Sequence, residues 1–286
     1  MSELPAAAAF DSAGFERRFG GLRRLYGPQG AQRIFDAHVV VVGIGGVGSW
    51  AAEALARSGV GCLTLIDMDH VGESNTNRQI HALTAEFGRA KVEAMRERIG
   101  QIHPDCVVHA VDDFVTPANW PTLAQQALGS GRPLAALDAC DQMSAKVAMA
   151  AWALQTRLPF VTVGAAGGKR LAHRVELADL GQATHDPLLA QLRYRLRKHH
   201  GGAREGDLGV MGVFSREPVA PPDAACGVDA GGDGSLNCHG YGSTVAVTAT
   251  FGLCAAGWLM DRLASGTAAG KKIGGSSKSP QKGIRI

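Results

Sequence analysis

The sequence predicts an α/β fold in which helices cover both faces of a doubly wound, mostly parallel sheet. Between residues 38 and 164, short apolar segments typical of buried strands alternate with segments of helical periodicity, and this alternation favours a parallel sheet. The pattern GIGGVG at residues 43–48 stands between the first strand and the helix after it, where a helix N-terminus can meet a phosphate group. The predicted fold is therefore Rossmann-like.

The predicted elements follow one another closely in the first half of the chain. Residues 38–42 form a β-branched run typical of a strand buried on both faces, and residues 49–60 continue with helical spacing. Further strands are predicted at residues 62–67, 106–111, 133–140 and 159–164, and further helices at residues 91–101 and 146–155.

Beyond residue 164 the pattern weakens. Residues 173–180 indicate one more strand, and residues 186–200 indicate a helix in which Asp186 is the N-cap and Pro187 takes the first position. Residues 201–237 are rich in Gly, Pro, Asp and Ala and predict a long irregular segment. The apolar run over residues 244–260 carries three threonines and is shorter than the ~20 residues of a membrane span, which favours a buried helix.

Three parts of the chain are distinguished on this basis. Residues 15–164 are predicted to form a nucleotide-binding core, and residues 165–263 a C-terminal extension that completes the fold. Residues 264–286 form a basic tail rich in Gly, Ser and Lys, a composition that favours disorder.

Composition and cysteine usage favour a cytoplasmic protein outside the membrane. The net charge is +3 and 45% of the 286 residues are hydrophobic, which is ordinary for a globular protein. None of the six cysteines forms a CxxC pair, which argues against a structural zinc site and favours a reducing compartment. The first twenty residues do not show a basic segment followed by an apolar one, so no secretion signal is expected there.

The glycine pattern alone does not separate a dinucleotide site from a triphosphate site. Gly43, Gly45 and Gly48 permit a tight turn and a close backbone approach to phosphate. Asp67 ends the second predicted strand, nineteen residues after Gly48, where it can bind ribose hydroxyls. An NAD-dependent dehydrogenase is consistent with these features.

The residues that follow favour a triphosphate. The stretch LIDMDHVGESNTNRQIH at residues 65–81 contains Arg78, and Lys91 follows it. Arg78 offers a planar fork to phosphate oxygens and Lys91 a point charge, as needed when pyrophosphate leaves. Asp141 follows the fourth strand at the same edge of the sheet, where a carboxylate beside phosphates suits Mg²⁺.

Together these motifs carry a family resemblance. GIGGVG, the 65–81 stretch, Lys91 and LDACD at residues 137–141 resemble the adenylating core of the ubiquitin-activating-type superfamily, which includes ThiF and MoeB. RFGGLRRLYG, NTNRQIHAL, VDDFVTPANW and VTATFG extend the resemblance over residues 15–263 to one branch, the tRNA threonylcarbamoyladenosine dehydratases.

The resemblance implies a ThiF/MoeB-type fold, a homodimer, and a reaction that uses ATP and Mg²⁺ on tRNA. The enzyme would adenylate the threonyl carboxylate of the modified adenosine, and the carbamoyl group would then capture the activated carboxyl intramolecularly. The products would be a cyclised nucleoside, AMP and pyrophosphate. Because the nucleophile belongs to the substrate, the protein would contribute mainly positioning and charge neutralisation.

Matching positions give the implied site. Arg78, Lys91 and Asp141 would be catalytic, with Asp141 as the metal ligand and Asp67 as the ribose ligand. The remaining nucleotide-binding positions are Gly43, Gly45, Gly46, Gly48, Asp69 and Asn75, together with Arg78 and Lys91.

Two positions depart from the superfamily pattern. Relatives contribute an N-terminal arginine across the dimer, and this chain has Gly21 where that arginine would fall. Arg24 is the candidate substitute. Asn77 is an addition within the SNTNRQ stretch and is a further candidate.

Cys238 and the helix at residues 186–200 are the remaining candidates. Cys238 lies beside His239, in the region where relatives carry a catalytic thiol, and Cys226 is a weaker candidate. The helix is predicted to bury a stripe of Leu188, Leu192 and Leu196 and to present cations to RNA phosphates. These RNA-binding candidates are Arg193, Arg195, Arg197, Lys198 and Arg204.

Two further functions remain as alternatives to the tRNA dehydratase. The first is adenylation of the C-terminus of a ubiquitin-like sulfur carrier, which would use the same ATP site. The absent CxxC pairs and the basic helix argue against it. The second is a sulfur-relay scaffold that associates with a cysteine desulfurase, against which the intact ATP-site residues argue.

Overall fold

The computed structural model describes residues 12–221 and 241–266. Its centre is a seven-stranded sheet with the order β3-β2-β1-β4-β5-β7-β6. Every neighbouring pair is parallel except β6 and β7. The strands are β1 His38–Val42, β2 Cys62–Ile66, β3 Val107–Val111, β4 Leu134–Asp138, β5 Phe160–Val163, β6 Val175–Asp179 and β7 Met211–Ser215. The predicted fold class is confirmed.

Helices cover both faces of this sheet. Alternate residues of β1 enter different layers of the core: Val39 and Val41 pack with α1, α2, α3 and α7, whereas Val40 and Val42 pack with α4, α5 and α6. A strand buried on both sides reads as a continuous apolar run, as β1 does. The helices are α1 Ser12–Asp36, α2 Gly48–Arg57, α3 Lys91–Ile102, α4 Trp120–Leu128, α5 Met143–Thr156, α6 Pro187–His199 and α7 Val245–Ser265.

The strand order places the predicted site at a topological switch point. The chain moves outward from β1 to β2 and β3 on one side, and then to β4 and β5 on the other. Ligands of open α/β sheets bind where the order reverses, outside the carboxyl ends of the strands. Gly43, Asp67 and Asp141 follow β1, β2 and β4 at this edge.

The prediction of an irregular segment over residues 201–237 is wrong in part. Met211–Ser215 is β7, which lies inside the sheet between β5 and the edge strand β6. This strand of five residues contains Gly212 and follows Gly209, so its composition predicts a turn. Pairing with two neighbouring strands outweighs that local preference.

Two helices are absent from the sequence prediction. In α1 the chain bends at Gly27, whose φ is 72°, before Pro28, and this break hides the helical periodicity. The helix α4 is also unpredicted, and its nine residues give too short a pattern.

The C-terminal helices agree more closely with prediction. Asp186 caps α6 by accepting a hydrogen bond from the Leu189 amide at 3.0 Å. The predicted stripe needs one correction, because the fully buried leucines are Leu189, Leu192 and Leu196, whereas Leu188 is half-buried. The buried apolar helix predicted over residues 244–260 is α7. Across the two described ranges, no helix combines the length and apolar character that a membrane span requires.

Candidate active site

The glycine loop after β1 is shaped by close backbone contacts. Gly43 has a φ of +85°, and a Cβ there would lie 2.8 Å from backbone atoms of Ala139 and Cys140. A Cβ on Gly48 would overlap the carbonyl oxygen of Gly43. By contrast, a Cβ on Gly45 would meet no atom of the described residues within 4 Å. The first and last glycines therefore permit the turn, and Gly45 faces space that a phosphate group can approach.

Asp67 joins the glycine loop to the segment after β2. Its Oδ2 accepts a hydrogen bond from the amide of Ile44 at 2.6 Å, and its Oδ1 accepts one from the amide of Asp69 at 2.8 Å. Burial raises the pKa of Asp67, and the Lys91 ammonium opposes this shift. Each carboxylate oxygen keeps a further lone pair for a ribose hydroxyl, so the predicted role is compatible with this geometry.

Arg78 lies directly against the glycine loop. A Cβ added to Gly46 would come within 3.2 Å of the Arg78 Cγ and 3.4 Å of its Cδ. The guanidinium Nη1 donates to the carbonyl of Ser74 at 2.7 Å and to Oδ1 of Asn77 at 2.9 Å. The indole of Trp50, on α2, donates to the Arg78 carbonyl at 2.9 Å. The predicted loop and the predicted arginine thus meet at one place.

A short 3-10 turn at Glu73–Asn75 sets the position of Arg78. The Asn75 amide donates to the Gly72 carbonyl, and the Asn75 Oδ1 accepts from the Gly72 amide, both at 3.0 Å. The oxygen of the Asn75 side chain therefore builds the turn, in addition to the phosphate contact that was predicted for this residue.

Lys91 and Asp69 form an ion pair at the same edge. The Nζ of Lys91 lies 2.7 Å from Oδ2 of Asp69. The lysine side chain is 7% exposed, whereas the aspartate side chain is 61% exposed. A solvent-exposed partner holds an ammonium weakly, so an incoming phosphate can take its place.

Asp141 is exposed, and buried hydrogen bonds hold the turn that precedes it. Asp138, the last residue of β4, is inaccessible to solvent and lies 3.0 Å from the Nζ of Lys146. The Thr162 hydroxyl donates to the same carboxylate at 2.6 Å, and the Cys140 amide donates to it at 3.2 Å. The buried network thereby anchors the turn that presents Asp141.

Sequence reasoning did not find this network. The available signal was the pair of carboxylates in LDACD, because the first of them ends a fully apolar strand and would need a buried partner. Lys146 gives little signal of its own, because it stands in a helix otherwise rich in alanine.

The donor set at this edge suits Mg²⁺ as a companion of phosphate. Among the residues that the structure describes, no group of three or more His, Cys, Asp and Glu side chains could hold a metal ion. Mg²⁺ commonly binds through one or two carboxylates together with substrate phosphates and water. Asp141 fits the role of a single carboxylate ligand.

The C-terminal part reaches the site through backbone contacts. The Asn77 Nδ2 donates to the carbonyl of Ser243, just before α7, at 2.9 Å. The Gly168 amide donates to the carbonyl of Gly242 at 3.0 Å, and the Ala220 amide donates to the carbonyl of Gly168 at 2.8 Å. Three separate stretches of the C-terminal part therefore connect with one another, and one of them reaches Asn77, the neighbour of Arg78 in the chain.

The cations predicted on the basic helix divide into two kinds. Arg193 donates to the carbonyls of Leu180 and Ala183 at 3.0 and 2.7 Å, and Arg197 donates to the carbonyl of Ala203 at 2.9 Å. These two cations hold neighbouring backbone. Three candidates remain. Arg195 is half-buried, whereas Lys198 and Arg204 are exposed.

The remaining candidates lie apart from this cluster or outside the described residues. Arg24 is exposed on α1. Cys226, Cys238 and the basic tail over residues 267–286 fall outside the described ranges.

The sheet order, with a glycine loop at its switch point, defines an α/β protein of the nucleotide-binding class. The model of the ThiF family matches residues 18–189. A tRNA threonylcarbamoyladenosine dehydratase from Escherichia coli is 46% identical over 252 residues, covering 85% of this chain and 92% of that protein. One from Haemophilus influenzae is 39% identical, covering 87% and 94%.

Solved structures agree with these relatives. The crystal structure of E. coli tRNA N6-threonylcarbamoyladenosine dehydratase, TcdA, in complex with ATP is 43% identical with a TM-score of 0.78, covering 90% of this chain and 98% of that one. A complex of the same enzyme with AMP has the same TM-score and is 44% identical. The chain belongs to the ThiF family and, within it, to the tRNA threonylcarbamoyladenosine dehydratases.

Proposed function

We propose that this chain catalyses the ATP-dependent dehydration of threonylcarbamoyladenosine in tRNA. The enzyme adenylates the threonyl carboxylate, and the activated carboxyl is then cyclised, with release of AMP and pyrophosphate. The observation that carries the proposal is the convergence of the open glycine loop, Arg78 and Lys91 at one sheet edge. The names of the relatives and the ATP and AMP complexes of a homologous enzyme support the substrate and the nucleotide.

The residues of the site supply charge neutralisation at the first step. A threonyl carboxylate oxygen bonds to the α-phosphorus of ATP, and pyrophosphate leaves with the bonding electrons. Arg78 and Lys91 face the growing negative charge, and fixed cations in such a position stabilise the transition state strongly. Asp67 binds the ribose. Mg²⁺, held by Asp141, would offset phosphate charge when bound.

The second step needs little more than positioning. The carbamoyl group of the same nucleoside attacks the acyl carbon, loses its proton, and AMP leaves with the former carboxylate oxygen. Because nucleophile and electrophile belong to one molecule, proximity contributes most of the acceleration. Loss of that oxygen to AMP accounts for the net loss of one water from the nucleoside.

We place the tRNA against the exposed face of α6. Arg195 and Lys198 supply cations there, Arg204 follows beyond the end of the helix, and the Lys198 ammonium lies 5.4 Å from the ring centroid of Tyr194. Tyr194 is 59% exposed, so its ring is available to stack on an unpaired base. The first two turns of α6 lack acidic residues, which favours a polyanionic partner.

We further propose that the enzyme is a cytoplasmic homodimer. Free cysteines at positions 62, 106, 140 and 254 are consistent with a reducing compartment. Exposed apolar side chains on α1 and α7, at Leu25, Val245 and Leu253, offer a surface for a second copy. Arg24 lies beside this surface in sequence and would act across the interface. Association with a cysteine desulfurase and a chemical role of Cys238 are proposed from the family resemblance alone.

An exchange assay separates the tRNA reaction from carrier adenylation. Purified protein is given ATP, Mg²⁺ and labelled pyrophosphate, with tRNA that carries threonylcarbamoyladenosine, with tRNA that lacks it, or with a ubiquitin-like carrier that ends in Gly-Gly. We expect label to enter ATP with the modified tRNA alone. Exchange that depends on the carrier would overturn the proposed substrate and support the alternative function.

A further inference from the structure

We infer that Asn77 is a positioning residue that couples the Arg78 guanidinium to the segment entering α7. This inference rests on the proposed binding of ATP at this site. The carboxamide of Asn77 makes one hydrogen bond on each side: its Oδ1 accepts from Nη1 of Arg78 at 2.9 Å, and its Nδ2 donates to the carbonyl of Ser243 at 2.9 Å. An amide can accept at one end and donate at the other, so the residue bridges two parts of the molecule.

The two partners belong to different regions of the chain. Arg78 follows the 3-10 turn after β2 and lies against the glycine loop. Ser243 is 166 residues further on, next to Gly242, whose carbonyl accepts from the Gly168 amide. Through Asn77, the placement of the C-terminal segment therefore acts on the orientation of the proposed phosphate contact.

The geometry around Arg78 makes this coupling restrictive. A Cβ on Gly46 would lie 3.2 Å from the Arg78 Cγ and 3.3 Å from Cγ2 of Thr248, in the first turns of α7. The stem of Arg78 and the start of α7 thus both adjoin the same glycine. We therefore expect movement of residues 241–244 to shift Asn77 and the guanidinium together.

The coupling links ATP binding to the ordering of residues 241–244. When the Arg78 guanidinium binds the phosphates of ATP, its hydrogen bond would hold the Asn77 side chain in place. The hydrogen bond from Asn77 to Ser243 would in turn hold residues 241–244. Those residues connect to the turn after β5, which belongs to the C-terminal part that we assign to tRNA. Occupation of the ATP site is therefore expected to order the segment beside the second substrate.

A double-mutant cycle in ATP affinity tests the coupling. We expect Asn77→Ala to weaken ATP binding about 5-fold, the size of one or two lost hydrogen bonds, when measured by calorimetry. In an Arg78→Ala background the same substitution should change the affinity less than about 2-fold, because its partner is gone. Thr76→Ala, an exposed neighbour in the same turn, is the matched control and should bind ATP like the wild type.

Hydrogen exchange tests the second hydrogen bond. In the wild type we expect ATP to slow amide exchange across residues 241–248, and in Asn77→Ala and Arg78→Ala we expect that ATP-dependent slowing to disappear. A purely structural role would accelerate exchange in Asn77→Ala with and without ATP, and would leave the effect of ATP intact in Arg78→Ala. Melting temperatures show whether each variant folds. If Asn77→Ala does not, the near-isosteric Asn77→Asp takes its place, because a carboxylate cannot donate to Ser243.

Results that contradict this inference can be told apart from a result that contradicts the proposed function. Equal losses from Asn77→Ala in the wild-type and Arg78→Ala backgrounds would overturn the inference and leave the proposed function standing. Unchanged ATP protection of residues 241–248 in Asn77→Ala would do the same. A wild-type chain that binds no ATP would overturn the proposed function, and the inference with it.

Discussion

Two pairs of cations differ according to the strands beside which they lie. Beside β4 and β5, the ammonium of Lys146 donates to Asp138, Thr162 and the Val163 carbonyl. The ammonium of Lys169 donates to three carbonyls in the same manner. Both side chains are almost inaccessible to solvent. Their charges are satisfied within the protein, so each joins neighbouring segments.

Lys91 and Arg78, which follow β2 in the chain, have looser surroundings. The partner of Lys91 is an aspartate that is 61% exposed, and among the described residues the hydrogen bonds of the Arg78 side chain come from one guanidinium nitrogen, Nη1. Donor capacity therefore remains at both groups. The comparison teaches that a saturated buried cation stabilises the fold, whereas a cation with remaining donors at an open edge is available to a ligand.

The largest expected effect is on stability, at the saturated pair. Lys146→Met leaves the Asp138 carboxylate buried without its cation, and such a loss typically costs about 3–5 kcal/mol. The free energy of unfolding in urea measures this change. The matched control is Arg216→Met, which removes an exposed ion pair with Glu176 and should cost about 1 kcal/mol or less. Equal losses in the two variants would contradict the comparison.

The next effect is on catalysis, at the open edge. In the proposed mechanism, Arg78→Ala removes a fixed cation that faces the developing charge, and such losses reduce turnover about 10²–10³-fold. We expect tRNA-dependent turnover to fall by this amount while the free energy of unfolding changes little. Arg96→Ala, on the surface of α3, is the control. A variant Arg78→Ala with near-normal turnover would place the reaction elsewhere.

Protonation of His38, the first residue of β1, should lower the free energy of unfolding at acid pH. Its Nε2 lies 2.7 Å from the Thr64 hydroxyl, and burial, together with the charges of His109 and Arg132, lowers its pKa from 6.5 to about 4. Because the pKa is lower in the folded state, His38 stabilises the protein above pH ~6.5, and this contribution is lost as the pH falls towards 4.

The expected loss at His38 is up to roughly 3 kcal/mol, by the usual conversion of a pKa difference. The free energy of unfolding, measured from pH 7 to pH 4, should fall less steeply in His38→Asn than in the wild type. His81, whose pKa burial also lowers to about 4, keeps part of the slope in that variant. Identical slopes would contradict the assignment to His38.

The smallest effect concerns the proposed binding of tRNA to α6. Lys198→Glu should raise the KM for tRNA several-fold at low salt, since each phosphate contact adds to affinity in a salt-dependent way. The difference should shrink as salt rises, while the affinity for ATP stays constant. Arg96→Glu makes the same charge change on α3. If both variants raise the KM equally, net charge rather than the α6 surface decides binding.

The residues around the glycine loop were largely predictable from sequence. The glycine loop, Asp67, Arg78 and Lys91 stand within one continuous stretch, and each follows a strand whose apolar run is visible. Parallel strands bring such residues to one edge, so the sequence order already implies their proximity.

The pairing of distant segments and the buried network below β4 were less predictable. β7 is a strand only because β5 and β6 pair with it, and the Asp138–Lys146 pair becomes visible only when α5 lies on the sheet. The bond from Asn77 to Ser243 spans 166 residues. Neither periodicity nor spacing indicates a partner at such a separation.

Mass spectrometry of the nucleosides of one substrate tests the central claim most directly. tRNA that carries threonylcarbamoyladenosine is incubated with the purified protein, ATP and Mg²⁺, and is then hydrolysed under mild conditions. We predict that the modified nucleoside becomes lighter by one water with the wild type and ATP, that this conversion is about 10²–10³-fold slower with Arg78→Ala, and that the nucleoside stays unchanged without ATP. An unchanged nucleoside with the wild type and ATP would contradict the account.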